Sequence, residues 1–231
     1  MTLALLLVLA AAPTPQTWKF QTDGTPEVHI SNIEGSVAVE GVDGNNVFFE
    51  VLQDRDGKTG NTFPVEVVQE GDAVRARVCC GPCGPEQRTG KCNDVAPTRF
   101  VVKVPRGTEL HVSAVNASVR VAGVAGEQEI ASVNGKVDVS GSKNDLSVSA
   151  VTGDVTLAPE QVAATSVSTV SGNVRLKMPE RADARLQFSS VSGSYNGKSA
   201  TLGSRSHTWG EGTHSVDVST VSGALETGSK N

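Results

Sequence analysis

The chain has 231 residues, 24 of them glycine, with 19% charged, only 4% aromatic and a formal net charge of -5. That length fits one large all-β domain or two small ones, and the scarcity of Ala, Leu, Glu and Lys at helical spacing excludes a helical bundle. The acidity is mild and spread without runs, which excludes a basic nucleic-acid face and a polybasic membrane contact.

Residues 1–12 differ from the rest. Leu3 to Ala12 reads LALLLVLAAA and is broken by Pro13 and Pro15. Such a run is about half of the ~20 residues a membrane helix needs. It fits the apolar region of a signal peptide, ending in small residues. No Lys or Arg precedes it, so the true start codon is expected upstream. No second apolar segment is present, so no transmembrane segment is expected, and 13–25 reads as a linker.

Residues 26–106 read as short strands joined by turns. The expected strands are Val28–Ser31, Ser36–Glu40, Asn45–Leu52, Pro64–Gln69, Ala73–Cys79 and Arg99–Val104. Glu70-Gly71-Asp72 marks a hairpin turn, and 54–60 a polar loop. This region is expected to form a small sheet that caps the C-terminal half of the chain. It carries a Gly/Pro-rich insert, 79–92, holding Cys79, Cys80, Cys83 and Cys92. In an exported chain four close cysteines read as two disulfides. Adjacent Cys79 and Cys80 rarely pair, which leaves two patterns open. Two sharper alternatives remain. Cys80-Gly-Pro-Cys83 matches a redox motif but lacks the helix that motif needs. Four thiolates also suit zinc, though the adjacent pair is awkward.

From 107 to 228 a V-x-G-x-V core recurs: VNASV, VNGKV, VTGDV, VSGNV, VSGSY and VSGAL, centred on Ala117, Gly135, Gly153, Gly172, Gly193 and Gly223. A related IEGSV, centred on Gly35, stands alone upstream. Apolar columns lie five and two residues before each centre and two after it, and in the first four units also four after it (Val121, Val139, Leu157, Leu176). The spacing within each segment is two, the strand period, with one slip of phase. Stacking the units in chain order buries all the columns together. The fold class expected is therefore all-β: a right-handed parallel β-solenoid of 18–21-residue coils behind a small N-terminal sheet. The polar column before each centre (Asn116, Asn134, Thr152, Ser171, Ser192, Ser222) reads as a structural ladder, and Ala117 among the central glycines argues for tight space.

VHISNIEGSV, then VVKVP, then LHVSAVNASV and units of the VSGDV kind resemble the bacterial "putative adhesin" domain of unknown function, over about residues 28–226. The resemblance implies an exported, envelope-associated β-solenoid and no catalysis. It brings no functional residues, and the cysteine insert departs from its pattern.

His29 and His111 share a column expected to face solvent. His207, Trp209 and His214 sit in the long insertion before the last unit and are the candidate partner-binding residues; Glu211 lies between the two histidines, but the spacing suits no metal pattern. Glu129 and Asp217 share a column, four units apart in chain order, and no carboxylate pair at hydrolytic spacing is expected. No cofactor and no metal site is expected. The functional expectation is a non-catalytic module of the envelope, periplasmic or at the cell surface, presenting a rigid surface to an unknown glycan or protein. The alternatives are self-association through the solenoid ends, or a thiol or metal function of the cysteine insert.

Overall fold

A computed structural model describes residues 15–53, 64–83, 95–200 and 202–229. The described residues form seventeen β-strands and no helix. The first six are β1 (Gln16–Gln21), β2 (Glu27–Val42), β3 (Asn46–Gln53), β4 (Val65–Glu70), β5 (Ala73–Val78) and β6 (Thr98–Pro105). The repeats supply β7 (Glu109–Ala122), β8 (Gln128–Asn134), β9 (Val137–Ser140), β10 (Leu146–Thr152), β11 (Val155–Ala158), β12 (Thr165–Ser171) and β13 (Val174–Met178). The chain ends with β14 (Ala184–Tyr195), β15 (Lys198–Ser199), β16 (Gly203–Trp209) and β17 (His214–Ser229).

Two ladders run through the molecule. In the first, β5, the start of β2, the start of β7, β8, β10, β12, β17 and β14 are all parallel. In the second, β6, the end of β2, the end of β7, β9, β11, β13 and the end of β17 are parallel. Register is strict. Ile30, Val112, Ile130, Val148, Val167, Val218 and Phe188 succeed one another in the first ladder. Val37, Val119, Val137, Val155, Val174 and Leu225 do so in the second. All thirteen are 2% exposed or less. Each contributes about 1.5–3 kcal/mol of gross burial energy, an upper bound because the unfolded chain is partly collapsed.

The N-terminal strands extend both ladders. β4 and β5 form the expected hairpin at Gly71 and prolong the first. β1, β3 and β6 are antiparallel neighbours that prolong the second. The lone IEGSV unit is no outlier in space: β2 pairs along its length with β7. Residues 13–25, expected as a linker, contain β1. Trp18 and Phe20 alternate onto the core there, and the Phe20 ring meets Phe49 edge-on at 6.5 Å. Residues 1–12, the expected signal peptide, and the loop 54–60 lie outside the described residues.

Stacking does not follow chain order. β17 enters between β12 and β14, so the last repeat in sequence is the penultimate one in space. Ser168 and Ser219 hydroxyls meet at 3.2 Å, and those of Thr169 and Thr220 at 3.3 Å. The cause is the excursion after Tyr195. β16 pairs antiparallel with one edge of β14. The returning chain is left the other edge, against β12.

The central glycines report the same order. A Cβ on Gly153 would stand 2.1 Å from the Gly135 carbonyl oxygen, one on Gly172 2.1 Å from that of Gly153, one on Gly223 2.1 Å from that of Gly172, and one on Gly193 2.2 Å from that of Gly223. Space is tight, as expected from Ala117. Gly153 also has a positive φ of 126°, which a side chain resists.

Candidate binding groove

The sequence reading puts the column two residues before each centre inside; the structure puts it outside. Val115, Val133, Val151, Val170, Val221 and Val191 are 41–51% exposed. The inward position is one residue earlier: Ala114, Ser132, Ala150, Thr169, Thr220 and Ser190, all buried. In/out alternation thus continues through the valines, and the phase slips directly after them, where each valine and the polar residue that follows it are both exposed. Only small side chains fit inside at that point, where the two ladders converge on the corner.

These valines stand in register on adjacent strands, about 4.8 Å apart. Two residues earlier a second outward column runs parallel: Ser31, Ser113, Ala131, Ser149, Ser168, Ser219 and Ser189. Between the columns lies a shallow groove floored by the small buried residues. One stretch, from Ser31 to Val170, encloses about 420 Å³. A second, from Thr169 to Leu202 and Ser204, encloses about 500 Å³. Thr169 lines both, so the groove tracks the stack across the repeats. Leu202 closes its far end, 82% exposed and at a positive φ of 48°. Among the described residues its lining carries no charge, so it offers apolar contact and hydroxyl hydrogen bonds.

Beside the groove, the polar column before the centres bonds to itself. Asn134 donates to Asn116 at 2.9 Å, and the Thr152 hydroxyl donates to Asn134 and, at 3.1 Å, to the Val133 carbonyl. These side chains brace the corner.

The residues singled out in the long insertion are not brought together as one site. They lie on strands, not on a projecting loop. His207 and Trp209 share β16, with rings edge-on at 4.4 Å. Trp209 is half-buried and packs on the end of the core. His214 begins β17, on the opposite edge of β14 from Trp209, since both align with Ala184. Asp183 fixes the turn between them. It accepts from the Gly212 amide at 2.6 Å, the Thr213 amide at 3.2 Å and the Thr213 hydroxyl at 2.6 Å. Those bonds, the Thr213 hydroxyl foremost, hold its carboxyl below the ordinary aspartate range.

In the cysteine insert, Cys79 is bonded to Cys83, with Cα atoms 5.4 Å apart. Cys80 is disulfide-bonded as well, and Cys92 lies outside the described residues. The redox motif needs Cys80 paired with Cys83, and Cys83 has the other partner. Cys79 is fully buried behind β5, so its bridge anchors the base of the insert.

Glu129 and Asp217 are three strands apart, not four, because β17 is inserted: Glu129, Ser147, Ser166 and Asp217 align in turn. That spacing is about 14 Å at 4.8 Å per strand, beyond the range for paired hydrolytic carboxylates. Carboxylates do gather elsewhere, around His111, contrary to the sequence expectation. Glu109 and Glu129 contact its two ring nitrogens at 3.2 and 3.1 Å. His29 and His111, half-buried, stack with centroids 4.6 Å apart.

One family model matches residues 24–226. The chain belongs to the Toastrack DUF4097 family. The resemblance carried by VHISNIEGSV, VVKVP and LHVSAVNASV therefore holds. Nothing matches among curated proteins. Solved structures that align along the chain include a "putative cell adhesion protein" from Clostridium sporogenes ATCC 15579, at 10% identity and TM-score 0.48, covering 94% of this chain and 100% of that one. A "putative adhesin" from Bacteroides fragilis NCTC 9343 aligns at 11% identity and TM-score 0.44, covering 94% and 100%. A "putative lipid binding protein" from Parabacteroides distasonis ATCC 8503 aligns at 12% identity and TM-score 0.36, covering 93% and 96%. No helix among the described residues is long and apolar enough to cross a membrane.

Proposed function

We propose that this Toastrack chain is a non-catalytic, exported binding or scaffold module of the cell envelope, and that its valine–serine groove holds a linear partner, a glycan or an extended protein segment. The observation that carries the reading is the ladder of six half-exposed valines. Large apolar side chains repeated along one exposed surface mark an interaction site rather than a core. Export is supported by the disulfide bonding of the cysteine insert, which persists in oxidising compartments, and by the apolar run at residues 3–12. The pairing offsets, 18 residues from Gln128 to Leu146 and 19 from Leu146 to Thr165, support solenoid coils of that size. Their crossovers are right-handed by the rule for parallel strands.

Replacing Val133, Val151 and Val170 together by Asp tests the groove. Retention on isolated envelope material, both sacculi and surface polysaccharide, is expected to fall at least tenfold while the melting temperature stays close to wild type. Undiminished retention of the folded triple variant refutes the groove as the site. Deleting 203–213 is a poor test, since it strips β16 from the end of the stack.

A second reading is self-association. β16 pairs on one side only among the described residues, which leaves a strand edge open to another copy. Sedimentation at rising concentration decides it: assembly that Arg205→Pro abolishes supports edge pairing, and a strict monomer at high concentration refutes it.

A further inference from the structure

A second constellation lies on the first ladder, away from the groove. Glu27 and His29 alternate along β2 and face the same way. His111 and Glu109 are their in-register partners on β7, and Glu129 aligns with His111 on β8. One Glu27 carboxylate oxygen lies 2.5 Å from His29 Nε2 and 3.9 Å from His111 Nε2. The two rings are nearly parallel, 9° apart, so both Nε2 atoms turn toward that one oxygen. Glu27, His29 and His111 can each offer a ligand atom within 4.8 Å of the others.

Two further facts separate this cluster from a solvated acidic patch. The first is the hydrogen bond behind His111. Its Nδ1 lies 3.1 Å from a Glu129 carboxylate oxygen. A proton held there fixes the tautomer and leaves Nε2 bare, the arrangement that metal-binding histidines use. The second is an imbalance of charge. Glu27 and Glu109 are directly opposed on adjacent strands, and Glu127 continues their row beside the Gln128–Leu110 pair. Like charges so placed destabilise a sheet. The neighbouring cation is Arg75, aligned with His29 on β5, and it is bonded to Glu70 at 2.7 Å.

We propose that Glu27, His29 and His111 form a surface site for a divalent cation of the zinc class, with Glu129 positioning the His111 ring. Two imidazoles and a carboxylate are a borderline-soft donor set that suits zinc and not calcium. Glu109, 3.2 Å from His111 Nε2, or a water completes four-fold coordination. The site joins β2 to β7, so a bound ion clamps the N-terminal strands to the first repeat.

The test uses the full mature chain with its disulfides intact and zinc chloride alone as the probe. Calorimetry is expected to show one saturable zinc per chain. His29→Ala and His111→Ala should each weaken it at least tenfold, and Glu129→Gln by about tenfold, the usual cost of losing a positioning carboxylate. A paired His207→Ala, His214→Ala variant should bind as wild type. In the wild-type protein, zinc should move two of the four histidine ring resonances, a measurement independent of any variant's folding. Absence of saturable binding, binding indifferent to both histidine substitutions, or equal competition by calcium each overturns the proposal.

Discussion

Gly153→Ala is a direct probe of how closely the strands meet at the corner. The new Cβ would stand 2.1 Å from the Gly135 carbonyl oxygen, more than 1 Å inside ordinary contact. It would also occupy a φ of +126°, a region that only glycine enters freely. The backbone penalty is about 1–3 kcal/mol, and forcing the strands apart adds about 1–3 kcal/mol. The sum is about 4 kcal/mol. Gly44→Ala separates the two parts. Gly44 has a similar φ of +119° but nothing within 4 Å of the added carbon, so it bears only the backbone part, about 2 kcal/mol. Urea unfolding with the disulfides kept oxidised measures both. The expected gap is about 2 kcal/mol, or about 4–8 °C in melting temperature for a domain of this size. A gap below about 0.5 kcal/mol, or a larger loss at Gly44, refutes the close approach.

Stack order is open to cross-linking: a Ser168→Cys, Ser219→Cys pair should form a disulfide, because these residues are aligned neighbours. A Ser168→Cys, Ser189→Cys pair should not, since two strand spacings, about 9.6 Å, exceed disulfide reach; the reverse pattern on reducing and non-reducing gels would restore chain order. Phe188→Ala, at a fully buried site, should cost about 3–5 kcal/mol in urea unfolding, and a loss under about 1 kcal/mol would deny it a place in the core. Asp183 has its folded pKa held below the ordinary 3.8, so its contribution is present above that value and is lost as pH falls through the lower folded one. Asp183→Asn should remove that part of the acid dependence and loosen the Gly212 and Thr213 amides in hydrogen exchange; unchanged exchange would show that the turn does not rely on the carboxylate.

Much of the fold is legible in the sequence because spacing within each repeat segment is two and the side chains are uniform. That period puts the columns through Ile130, Val137 and Val139 inside, and they are buried. It misplaces the valine column because apolar character alone does not say which face a residue takes at a corner. The slip of phase can be placed on either side of Val133 with equal economy. A signal is present in the preceding column, where every residue from Ala114 to Thr220 is small. Uniform smallness marks a narrow interior, while the valines beside it are free in size. The insertion of β17 is harder to see, since parallel pairing has no local code for the order of strands. The clue lies in the aromatics. Phe188 and Tyr195 replace the aliphatic residues of other repeats, and atypical repeats belong at the ends of a stack. The histidine cluster is half legible: the shared column of His29 and His111 comes from the repeat. Glu129 stands in that same column one unit on and pairs in register with His111, whereas Glu27 joins them only once β2 is known to lie directly on β7.

That same strand order narrows where a partner can bind. A parallel stack is vulnerable at its two ends, where unpaired edges invite further strands. At one end the first ladder closes with the β4–β5 hairpin, whose outer strand carries Glu66 and Glu70 paired to Arg77 and Arg75. At the other, β16 lies across β14 with Arg205 at its middle. The C-terminal strand, which would otherwise be a long parallel edge, is held between β12 and β14, and Asn196 caps its outer side by accepting the Thr227 amide at 2.9 Å. Charged or polar strands thus finish both ends. Among the described residues, most of the large apolar side chains that remain exposed belong to the valine column. Its residues are spared the need to fill a core, and the proposed partner lying along the groove would account for their repetition at six positions.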